Sequence, residues 1–523
     1  MKGSCMIIIK YTGRVDFEYD IQGLLRTFFP GEPMVTDREA EADLILEAEF
    51  CDYFETIPMV LRLEGKPYTD GGFQREAERT FRREGSFLPG SVPASDGEPD
   101  WDGAGSEEAY DDVRKETKNR LKRLLFDLLK EYTGKTPVWG TLSGIRPTKI
   151  TSSYLERGYS EAEAKQRFMM EYYVSGEKAE QCVTISRNEA EILRDVDYKN
   201  GYSLYIGIPF CPSTCLYCSF TSYPLSKYRG KTDAYIEALG KELKYIAEIC
   251  AGRNPETIYI GGGTPTTLEP CQLDSLLGIV HELFDAKAVR EFTVEAGRPD
   301  SITPEKLKVL GAYDVGRISI NPQTMNQKTL DLIGRHHTVE DFLHAYDMAR
   351  TCGFDNINMD FILGLPDETQ EDVRNSMEWV ERLNPDSLTI HSLALKRASR
   401  LNILKEQYKQ YAIENSDDIM EITRRTAKTL GLNPYYLYRQ KNMAGNLENT
   451  GYAKDGKAGI YNILIMEEKQ TILAAGAGSS TKMVHPGGRK ITRIENVKDV
   501  DLYISDIDKM IERKRSFFER RKC

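Results

Sequence analysis

The sequence predicts an α/β protein built around a partial (β/α)6 barrel, with a small α/β domain before the barrel and an α+β cap domain after it. Between residues 200 and 400, short apolar runs alternate with amphipathic helical segments, which is typical of parallel βα units. Three cysteines directly follow the first apolar run, and barrels place their chemistry at the C-terminal ends of their strands. We therefore divide the chain into residues 1–135 (α/β domain), 136–199 (helical linker), 200–400 (barrel core) and 401–523 (cap domain).

The overall composition is that of a globular protein with several domains. The chain has 523 residues, of which 40% are hydrophobic and 29% are charged, and it is too long for one ordinary core. The net charge of −11 argues against a general affinity for nucleic acid, whose phosphates require clustered basic residues. No apolar run reaches the length of a membrane span, and the ten cysteines are too scattered for a disulfide framework. We expect a cytoplasmic monomer without a membrane span.

The N-terminal domain is predicted to combine short strands with two helices. Residues 85–105 are rich in Gly, Pro, Ser, Asp and Glu, cannot bury enough apolar surface to become ordered, and predict a disordered loop. The charged stretch Arg75–Arg83 is interpreted as a solvated helix. The other expected elements are strands at Met6–Tyr11, Leu44–Ala48 and Met59–Leu63 and helices at Tyr19–Phe28 and Ser106–Tyr132.

The linker contains a compact loop, Trp139–Lys149, with two glycines and a proline. Its basic residues Arg146 and Lys149 could bind an anion. A buried joint between domains is the favoured interpretation, because charged loops are usually structural or solvated. Helices are expected to follow at Glu161–Tyr173 and Gly176–Val196.

The barrel core is predicted to contain six strands and five intervening helices. The strands are expected at Ser203–Ile208, Thr257–Ile260, Glu291–Glu295, Arg317–Ile320, Asn356–Ile362 and Ser387–His391. The helices are expected at Thr232–Ala251, Cys271–Leu283, Pro304–Gly311, Val339–Thr351 and Thr369–Leu383. The cap is expected to contain helices at Ile403–Glu414 and Asp417–Leu430 and strands at Pro434–Tyr438, Gly459–Met466 and Thr471–Ala475.

Cys211, Cys215 and Cys218 form a C-x3-C-x2-C pattern directly after the first barrel strand. Three thiolates at this spacing can hold three corners of a cubane iron–sulfur cluster, which usually takes four cysteines, so that one iron stays free for another ligand. Zinc is the alternative, but structural zinc sites take four ligands and the chain has no second C-x2-C pair. A disulfide is less favoured because three is an odd number. The spacing therefore favours an iron–sulfur cluster.

This spacing, with Tyr217 just before the third cysteine, resembles the radical S-adenosylmethionine (SAM) superfamily. In that superfamily SAM chelates the fourth iron through its amino and carboxylate groups, and an electron from the cluster breaks the sulfonium bond to give a 5′-deoxyadenosyl radical. Gly261–Pro265, after the second strand, resembles the loop that grips the SAM amino group. Its three glycines allow backbone groups to approach a ligand closely. Taken alone, this loop would be interpreted as a tight turn.

Polar side chains near later strand ends extend the resemblance. Glu295 ends the third strand, where its carboxylate can accept hydrogen bonds from ribose hydroxyls or an ammonium group. Gln323 and Arg335 follow the fourth strand, and Asp360 lies in the fifth. Each alone would more often be structural than functional, but all four fall at a comparable depth of the predicted barrel.

Together these motifs resemble the oxygen-independent coproporphyrinogen III dehydrogenases (oxidases) over about residues 200–400, and the N-terminal extension with the Trp139–Lys149 loop is similar to their HemZ-type branch. The resemblance implies a 4Fe–4S cluster on Cys211, Cys215 and Cys218, and it assigns catalytic roles to Tyr205, Gln323 and Arg335. It implies SAM contacts from Tyr205, Tyr217, Gly262, Gly263, Thr264, Glu295, Gln323, Arg335 and Asp360.

The family reaction is the oxidative decarboxylation of two propionates of coproporphyrinogen III to vinyl groups, which gives protoporphyrinogen IX in haem biosynthesis. The resemblance thus implies a small tetrapyrrole substrate and an electron donor such as flavodoxin or ferredoxin. Lys396, Arg397 and Arg400, just after the sixth strand, could pair with propionate carboxylates. A solvated basic loop is an equally supported interpretation of these three residues.

Gly207 departs from the family pattern, because better-understood members carry there a histidine that is linked to a second SAM or to the substrate. Side chains alternate along a strand, so position 207 is expected to face the cavity above the cluster. Without a side chain at this position, we expect any second SAM to be held weakly or in another way. The alternative function is that of a haem-handling relative, either a chaperone or an anaerobic haem-degrading enzyme. A radical SAM enzyme acting on tRNA is disfavoured by the acidic charge.

Overall fold

The structure is a computed structural model that divides into two compact units, Met1–Gly144 with Tyr154–Val183, and Ile145–Ser153 with Thr184–Cys523. Two helices, α3 (Thr148–Glu156) and α5 (Gly176–Ile192), contain residues of both units. The structure describes residues 6–13, 17–36, 42–50, 59–66, 68–69, 72–73, 81–87, 107–144, 146–396, 398–408, 410–440, 443–485 and 490–519.

The first unit contains a five-stranded sheet in the order β2-β1-β3-β4-β7. Strand β1 is parallel to both of its neighbours, whereas β4 is antiparallel to β3 and to β7. The apolar faces of α1 and α2 join the inner side chains of the sheet in one core. The elements are β1 Ile7–Gly13, α1 Glu18–Phe28, β2 Met34–Thr36, β3 Leu44–Phe50, β4 Met59–Gly65, β5 Tyr68–Thr69, β6 Gly72–Phe73, β7 Phe81–Phe87, α2 Glu107–Thr133 and α4 Glu161–Tyr172.

The charged stretch at residues 75–83 is not the predicted helix where the structure describes it. Residues 81–83 belong to strand β7, while 74–80 lie outside the described residues. The charges fit a strand because they pair across the sheet: Arg62 donates to Glu84 at 2.9 Å and Arg82 donates to Glu64 at 3.0 Å. Strand β7 also takes the first three residues of the predicted loop 85–105, and the remainder of that loop lies outside the described residues.

The second unit is organised by an eleven-stranded sheet in the order β16-β17-β15-β14-β13-β12-β11-β8-β18-β19-β20. The strands from β15 to β18 in this order are parallel, and the strands at both margins are antiparallel. The predicted series of six parallel strands is confirmed. Strand β8 is buried along nearly its whole length, as expected for a parallel strand that is covered on both faces.

The strands and helices of this unit follow one another in the predicted βα rhythm as far as β15. They are β8 Tyr202–Ile208, β9 Phe210–Cys211, β10 Tyr223–Pro224, α6 Leu225–Tyr228, α7 Thr232–Ile249, β11 Thr257–Gly262, α8 Pro270–Leu283, β12 Glu291–Glu295, α9 Pro304–Ala312, β13 Arg317–Ser319, α10 Gln327–Leu332, α11 Val339–Thr351, β14 Ile357–Leu363, α12 Gln370–Leu383 and β15 Ser387–Ser392. The later elements are α13 Arg400–Ile403, α14 Lys405–Tyr408, α15 Asp417–Thr429, β16 Asn433–Tyr438, β17 Asn449–Ala453, α16 Ile460–Met466, β18 Thr471–Ala475, β19 Ser480–Val484, β20 Ile491–Glu495, α17 Val500–Ser505 and α18 Ile507–Glu519.

The region after residue 400 differs from the predicted cap in three respects. In place of the helix predicted at 403–414, the described residues form two four-residue helices, α13 and α14, and 410–416 are not helical. The apolar run predicted as a strand at 459–466 is helix α16, because a short apolar run does not by itself distinguish a buried strand from a buried helix. The later strands also extend the core sheet: β17 pairs with β15 at one margin, and β18 pairs with β8 at the other. The division of the chain at residue 400 stays a prediction. Among the described residues, no helix is long and apolar enough to cross a membrane.

Candidate active site

A cavity of about 240 Å³, open to solvent, lies at the C-terminal ends of the parallel strands of the second unit. This is the end of a βα barrel at which loops converge and functional residues collect. All the predicted site residues except Tyr205 line it. They are Cys211, Cys215, Tyr217, Cys218, Gly262, Gly263, Thr264, Glu295, Gln323, Arg335 and Asp360.

The segment that carries the three cysteines, residues 209–218, is called the cysteine loop. It begins where β8 ends and is fixed by backbone hydrogen bonds on both sides. The amide of Leu216 donates to the carbonyl of Ile333 at 2.9 Å, and its carbonyl accepts from the amide of Leu401 at 2.9 Å. Burial, together with the neighbouring Cys218 and Cys215, raises the pKa of the Cys211 thiol to about 11. The three thiols are therefore close enough to interact, and their thiolate forms require a positively charged group between them.

Among the described residues, no three His, Cys, Asp or Glu side chains converge on the position of a single metal ion. This does not conflict with a cubane cluster, because in such a cluster each cysteine binds a different iron. All three thiols are free cysteines.

The glycine loop packs directly against the cysteine loop. The amide of Gly263 donates to the carbonyl of Ile208, and the amide of Thr264 donates to that of Phe210, both at 2.7 Å. A Cβ atom on Gly263 would lie 2.5 Å from the Phe210 oxygen and 3.0 Å from the Cys211 sulfur. Glycine is required here because the two backbones touch, which is a closer constraint than the ligand contact that the sequence predicted.

A buried arginine that the sequence analysis missed reaches the cysteine loop. Arg298 lies just after β12, and its Nε and Nη2 donate to the two carboxylate oxygens of Asp300 at 2.9 and 2.8 Å. Its Nη1 donates to Ser213 at 3.2 Å and points to the sulfur of Cys215 at 3.5 Å. The guanidinium is only 3% exposed. It therefore brings a fixed positive charge to the thiol group.

Tyr217, Gln323 and Arg335 form one hydrogen-bonded network on the wall of the cavity. The Tyr217 hydroxyl donates to the side-chain oxygen of Gln323 at 2.8 Å and accepts from Nη1 of Arg335 at 3.1 Å. Nη2 of Arg335 donates to the carbonyls of Gly297 and Asn321 at 2.7 and 2.8 Å. The network thus joins the cysteine loop to the ends of two later strands.

The backbone of Gln323 is held in an unusual conformation by the neighbouring strand. Its φ of 68° lies in the left-handed region, which is uncommon for a residue other than glycine. Its amide donates to the carbonyl of Asp360 at 3.0 Å, and its carbonyl accepts from Ile362 at 2.9 Å. These two bonds to β14 fix the direction of the Gln323 side chain, and backbone strain of this kind is often found at functional sites.

The two cavity carboxylates have opposite electrostatic environments. Burial raises the pKa of Glu295 to about 7, although the Tyr259 hydroxyl donates to it at 2.6 Å. Burial would also raise the pKa of Asp360, but His391 and Asn358 outweigh it and hold that pKa below its ordinary value. The Asn358 amide donates to Asp360 at 2.7 Å, and Nε2 of His391 lies 3.7 Å from the other oxygen. Asp360 is therefore charged near neutral pH, while Glu295 exchanges its proton there.

Tyr205 and Gly207 are not among the residues that line the cavity. The Tyr205 ring lies beside the stacked rings of Tyr259 and Tyr461: its centroid is 6.3 Å from each of theirs, which are 4.4 Å apart. Its hydroxyl would lie 3.2 Å from a Cβ atom on Gly262, so it supports the glycine loop from behind. A Cβ atom on Gly207 would face the Ala475 carbonyl and the Tyr205 ring, both at 3.4 Å. Gly207 pairs with Gly261 of β11, whose Cβ position lies 3.0 Å from the carboxyl carbon of Glu295, so position 207 is on the same face of the sheet as a residue of the cavity. That position 207 itself faces the cavity stays a prediction.

Of the three basic residues predicted near the cavity mouth, one lines the cavity. Lys396 does so, whereas Arg400 is exposed at the start of α13 and Arg397 lies outside the described residues. Phe220, which the sequence analysis did not single out, also lines the cavity. His391 is a further missed residue. Its position at the C-terminal end of the sixth predicted strand could have identified it as a candidate site residue.

The chain is similar to several known proteins. Residues 205–380 match the family model of the radical SAM superfamily. The oxygen-independent coproporphyrinogen-III oxidase-like protein HemZ of Bacillus subtilis is 42% identical over 409 residues, which cover 77% of this chain and 82% of that protein. The heme chaperone HemW of the same organism is 31% identical over 307 residues, covering 58% and 75% of the two proteins. The solved structure of coproporphyrinogen III oxidase (HemN) from Escherichia coli aligns over 62% of this chain and 73% of that one, with 24% identity and a TM-score of 0.46.

Proposed function

We propose a reaction for this chain on the premise that it belongs to the radical SAM superfamily and to its HemZ-type, coproporphyrinogen-III oxidase-like branch. The proposed reaction is the oxygen-independent oxidative decarboxylation of coproporphyrinogen III. The observation that carries this proposal is the cavity. It gathers three cysteine thiols, the glycine loop and four strand-end polar side chains at one end of the parallel strands. The name of the 42% identical relative supports the choice of substrate.

Radical SAM proteins use a 4Fe–4S cluster and SAM, and the residues of the cavity fit both. We assign the cluster to Cys211, Cys215 and Cys218, whose buried thiols need a compensating positive charge. When bound, the cluster and SAM supply one-electron cleavage of the sulfonium, giving methionine and a 5′-deoxyadenosyl radical. Arg298 would hold the Cys215 sulfur in place and stabilise negative charge on it.

We assign SAM to the wall between the glycine loop and the polar network. Gly262, Gly263 and Thr264 line the cavity, so a ligand can lie against this segment. Glu295 would accept hydrogen bonds from an ammonium or from hydroxyls, and Asp360 would do the same in its charged form. Both carboxylates line the cavity.

Tyr217, Gln323 and Arg335 would act as a unit, because each holds the next through hydrogen bonds. Arg335 is largely used in fixing two backbone carbonyls, so its contribution is to keep the wall rigid and positively charged. Tyr205 would be a positioning residue, since it supports Gly262 from outside the cavity.

The proposed reaction converts each propionate to a vinyl group in two steps. One hydrogen atom leaves the propionate carbon β to the carboxylate and forms 5′-deoxyadenosine. The substrate radical then loses CO2 and one electron, which leaves a vinyl group, and the electron passes to a one-electron acceptor. Each propionate consumes one SAM and one electron from a donor of the flavodoxin or ferredoxin class. The protein contributes binding, orientation and exclusion of water. We propose a reducing compartment, such as the cytoplasm, because the thiols must stay reduced.

A haem-handling role is the second candidate, and two observations favour it. The heme chaperone HemW of Bacillus subtilis is 31% identical over 58% of this chain. Gly207 also stands where the better-understood oxidases have a histidine. In this role the same cavity would hold a tetrapyrrole without forming vinyl groups.

The deciding experiment uses the full chain, reconstituted anaerobically with iron and sulfide. It is incubated with SAM, a reductant and coproporphyrinogen III, and the porphyrin products are separated by mass. We expect products with one and two vinyl groups and about four irons per chain. A variant with Cys211, Cys215 and Cys218 replaced by alanine should bind almost no iron and form no product. Tight haem binding by a cluster-loaded protein that forms no vinyl product would favour the second candidate instead.

A further inference from the structure

An exposed aromatic ring and a lysine lie together at the rim of the cavity. Phe220 is 70% exposed and lines the cavity two residues after Cys218. The Lys396 ammonium lies 5.4 Å from the centroid of the Phe220 ring, which is within the range of a cation–π contact. A phenyl ring left in water forgoes the free energy of burial, so a ligand that covers it gains affinity.

Lys396 forms no ion pair with a carboxylate among the described residues; the Phe220 ring and the Cys218 thiol are its neighbours in the cavity. The other basic side chains of the cavity are engaged. Arg298 donates to both carboxylate oxygens of Asp300, and His391 lies 3.7 Å from Asp360. Arg335 donates to two backbone carbonyls. A ligand carboxylate that enters the cavity therefore meets Lys396 as its available counter-charge.

We propose that Lys396 and Phe220 recognise the substrate as a pair, in which the lysine binds a propionate carboxylate and the ring packs against a pyrrole of the tetrapyrrole. The inference rests on the proposed function and adds to it the part of the substrate that each residue contacts. A tetrapyrrole with propionate side chains offers an apolar ring and an anionic group a few bonds apart. The Lys396–Phe220 pair presents the matching arrangement.

The position of the pair suits the reaction. Phe220 follows the cysteine loop and Lys396 follows β15, and both line the cavity together with the three cysteines. A carboxylate held by Lys396 places its propionate chain inside the same cavity as the thiols. The hydrogen that must be removed lies on that chain. Arg400, only four residues away, is exposed and does not line the cavity, so it offers a control of the same charge on the same segment.

The test measures binding of two probes to the full chain by porphyrin fluorescence. The probes are coproporphyrin III, which has four carboxylates, and its tetramethyl ester, which has none. Lys396→Met should raise the Kd of the acid about tenfold, the size of one charge-assisted hydrogen bond, and leave that of the ester unchanged. Lys396→Arg should restore binding of the acid. Phe220→Ala should weaken binding of the acid and binding of the ester by the same factor, because the substitution removes an apolar contact. Arg400→Met should change neither.

The proposal is overturned if Lys396→Met binds the acid as tightly as Arg400→Met does. It is overturned likewise if Lys396→Met weakens binding of the ester as much as binding of the acid. It is also overturned if the wild-type chain binds neither probe. Iron content and the visible spectrum of each variant show whether the cysteine loop is intact. Product formation is measured separately. If the wild-type chain forms no vinyl product, but Lys396→Met selectively weakens binding of the acid, the recognition pair is supported and the proposed reaction is contradicted.

Discussion

The Nη1 atom of Arg298 lies 3.5 Å from the sulfur of Cys215, while the same guanidinium is held by Asp300 through two hydrogen bonds. A buried positive charge at this distance stabilises the more negative, reduced form of a cluster on that sulfur. We expect Arg298→Met to make the reduction potential about 60 mV more negative, which for one electron corresponds to about 1.4 kcal/mol. Potentiometric titration followed by electron paramagnetic resonance measures this shift.

Arg298→Lys is the matched control, because it keeps the charge and loses the two-point contact with Asp300. It should shift the potential less than Arg298→Met. If Arg298→Met has full iron content and an unchanged potential, the arginine serves only to hold Asp300 and the loop.

The Glu295 carboxyl predicts a pH dependence of SAM binding. Its pKa is raised to about 7 from an ordinary value of 4.5. If SAM binds the charged carboxylate, affinity rises with the deprotonated fraction, by about tenfold between pH 6 and pH 8. Glu295→Gln should flatten the part of the profile that belongs to this group. Calorimetry in two buffers with different ionisation enthalpies counts the released proton. Equal pH profiles for wild type and Glu295→Gln would contradict the assignment.

The same raised pKa carries a prediction for the stability of the SAM-free protein. A carboxyl whose pKa is higher in the folded than in the unfolded chain favours folding below pH 4.5. That contribution is lost as the pH rises towards about 7, because the folded chain then has to release the proton. The loss is on the order of 3 kcal/mol. Urea titrations at pH 5 and pH 7.5 should show a smaller pH effect in Glu295→Gln than in wild type.

Gly263 predicts that cluster and SAM sites fail together. Its Cβ position lies 2.5 Å from the Phe210 oxygen and 3.0 Å from the Cys211 sulfur, so even alanine displaces the cysteine loop. Overpacking of this kind costs about 1–3 kcal/mol. We expect Gly263→Ala to lower iron content as well as SAM cleavage. Gly316→Ala is the control, since nothing lies within 4 Å of its Cβ position. Full iron content in Gly263→Ala with SAM cleavage abolished would show that the glycine matters for the ligand alone.

Gly207 predicts inefficient coupling between SAM cleavage and decarboxylation. The position offers no side chain to a second SAM, and Gly207 is not among the residues that line the cavity. We expect the moles of 5′-deoxyadenosine to exceed the moles of vinyl groups in a single incubation. A ratio near one, unchanged in Gly207→His, would show that this chain positions its substrate by other residues.

The sequence predicted the barrel strands well because parallel strands buried on both faces are continuous apolar runs with clear ends. Once these strands were placed, their C-terminal ends brought Glu295, Gln323 and Asp360 into one cavity. The helix at 460–466 was missed because a short apolar run fits either element. Strand β7 was missed because its charges are stabilised by cross-strand partners that are distant in the chain.

The residues missed in the site have a common cause. Arg298 contacts Cys215 although the two residues are 83 positions apart in the sequence, and no local sequence pattern predicts such a contact. Tyr205 was assigned to the site by resemblance; it is not among the residues that line the cavity, and its role stays a prediction. Conversely, the contact between Gly263 and the cysteine loop is a backbone packing constraint that only the coordinates reveal.

The proposed reaction requires this chain to remove a hydrogen atom from a propionate side chain of coproporphyrinogen III. The most direct measurement uses substrate deuterated at the propionate carbons β to the carboxylates, incubated anaerobically with reconstituted full-length protein, SAM and reductant. We predict that mass spectrometry finds deuterium in 5′-deoxyadenosine whenever vinyl product forms, and none in the triple variant of Cys211, Cys215 and Cys218. 5′-Deoxyadenosine that carries no deuterium, with the substrate recovered unchanged, would contradict the account.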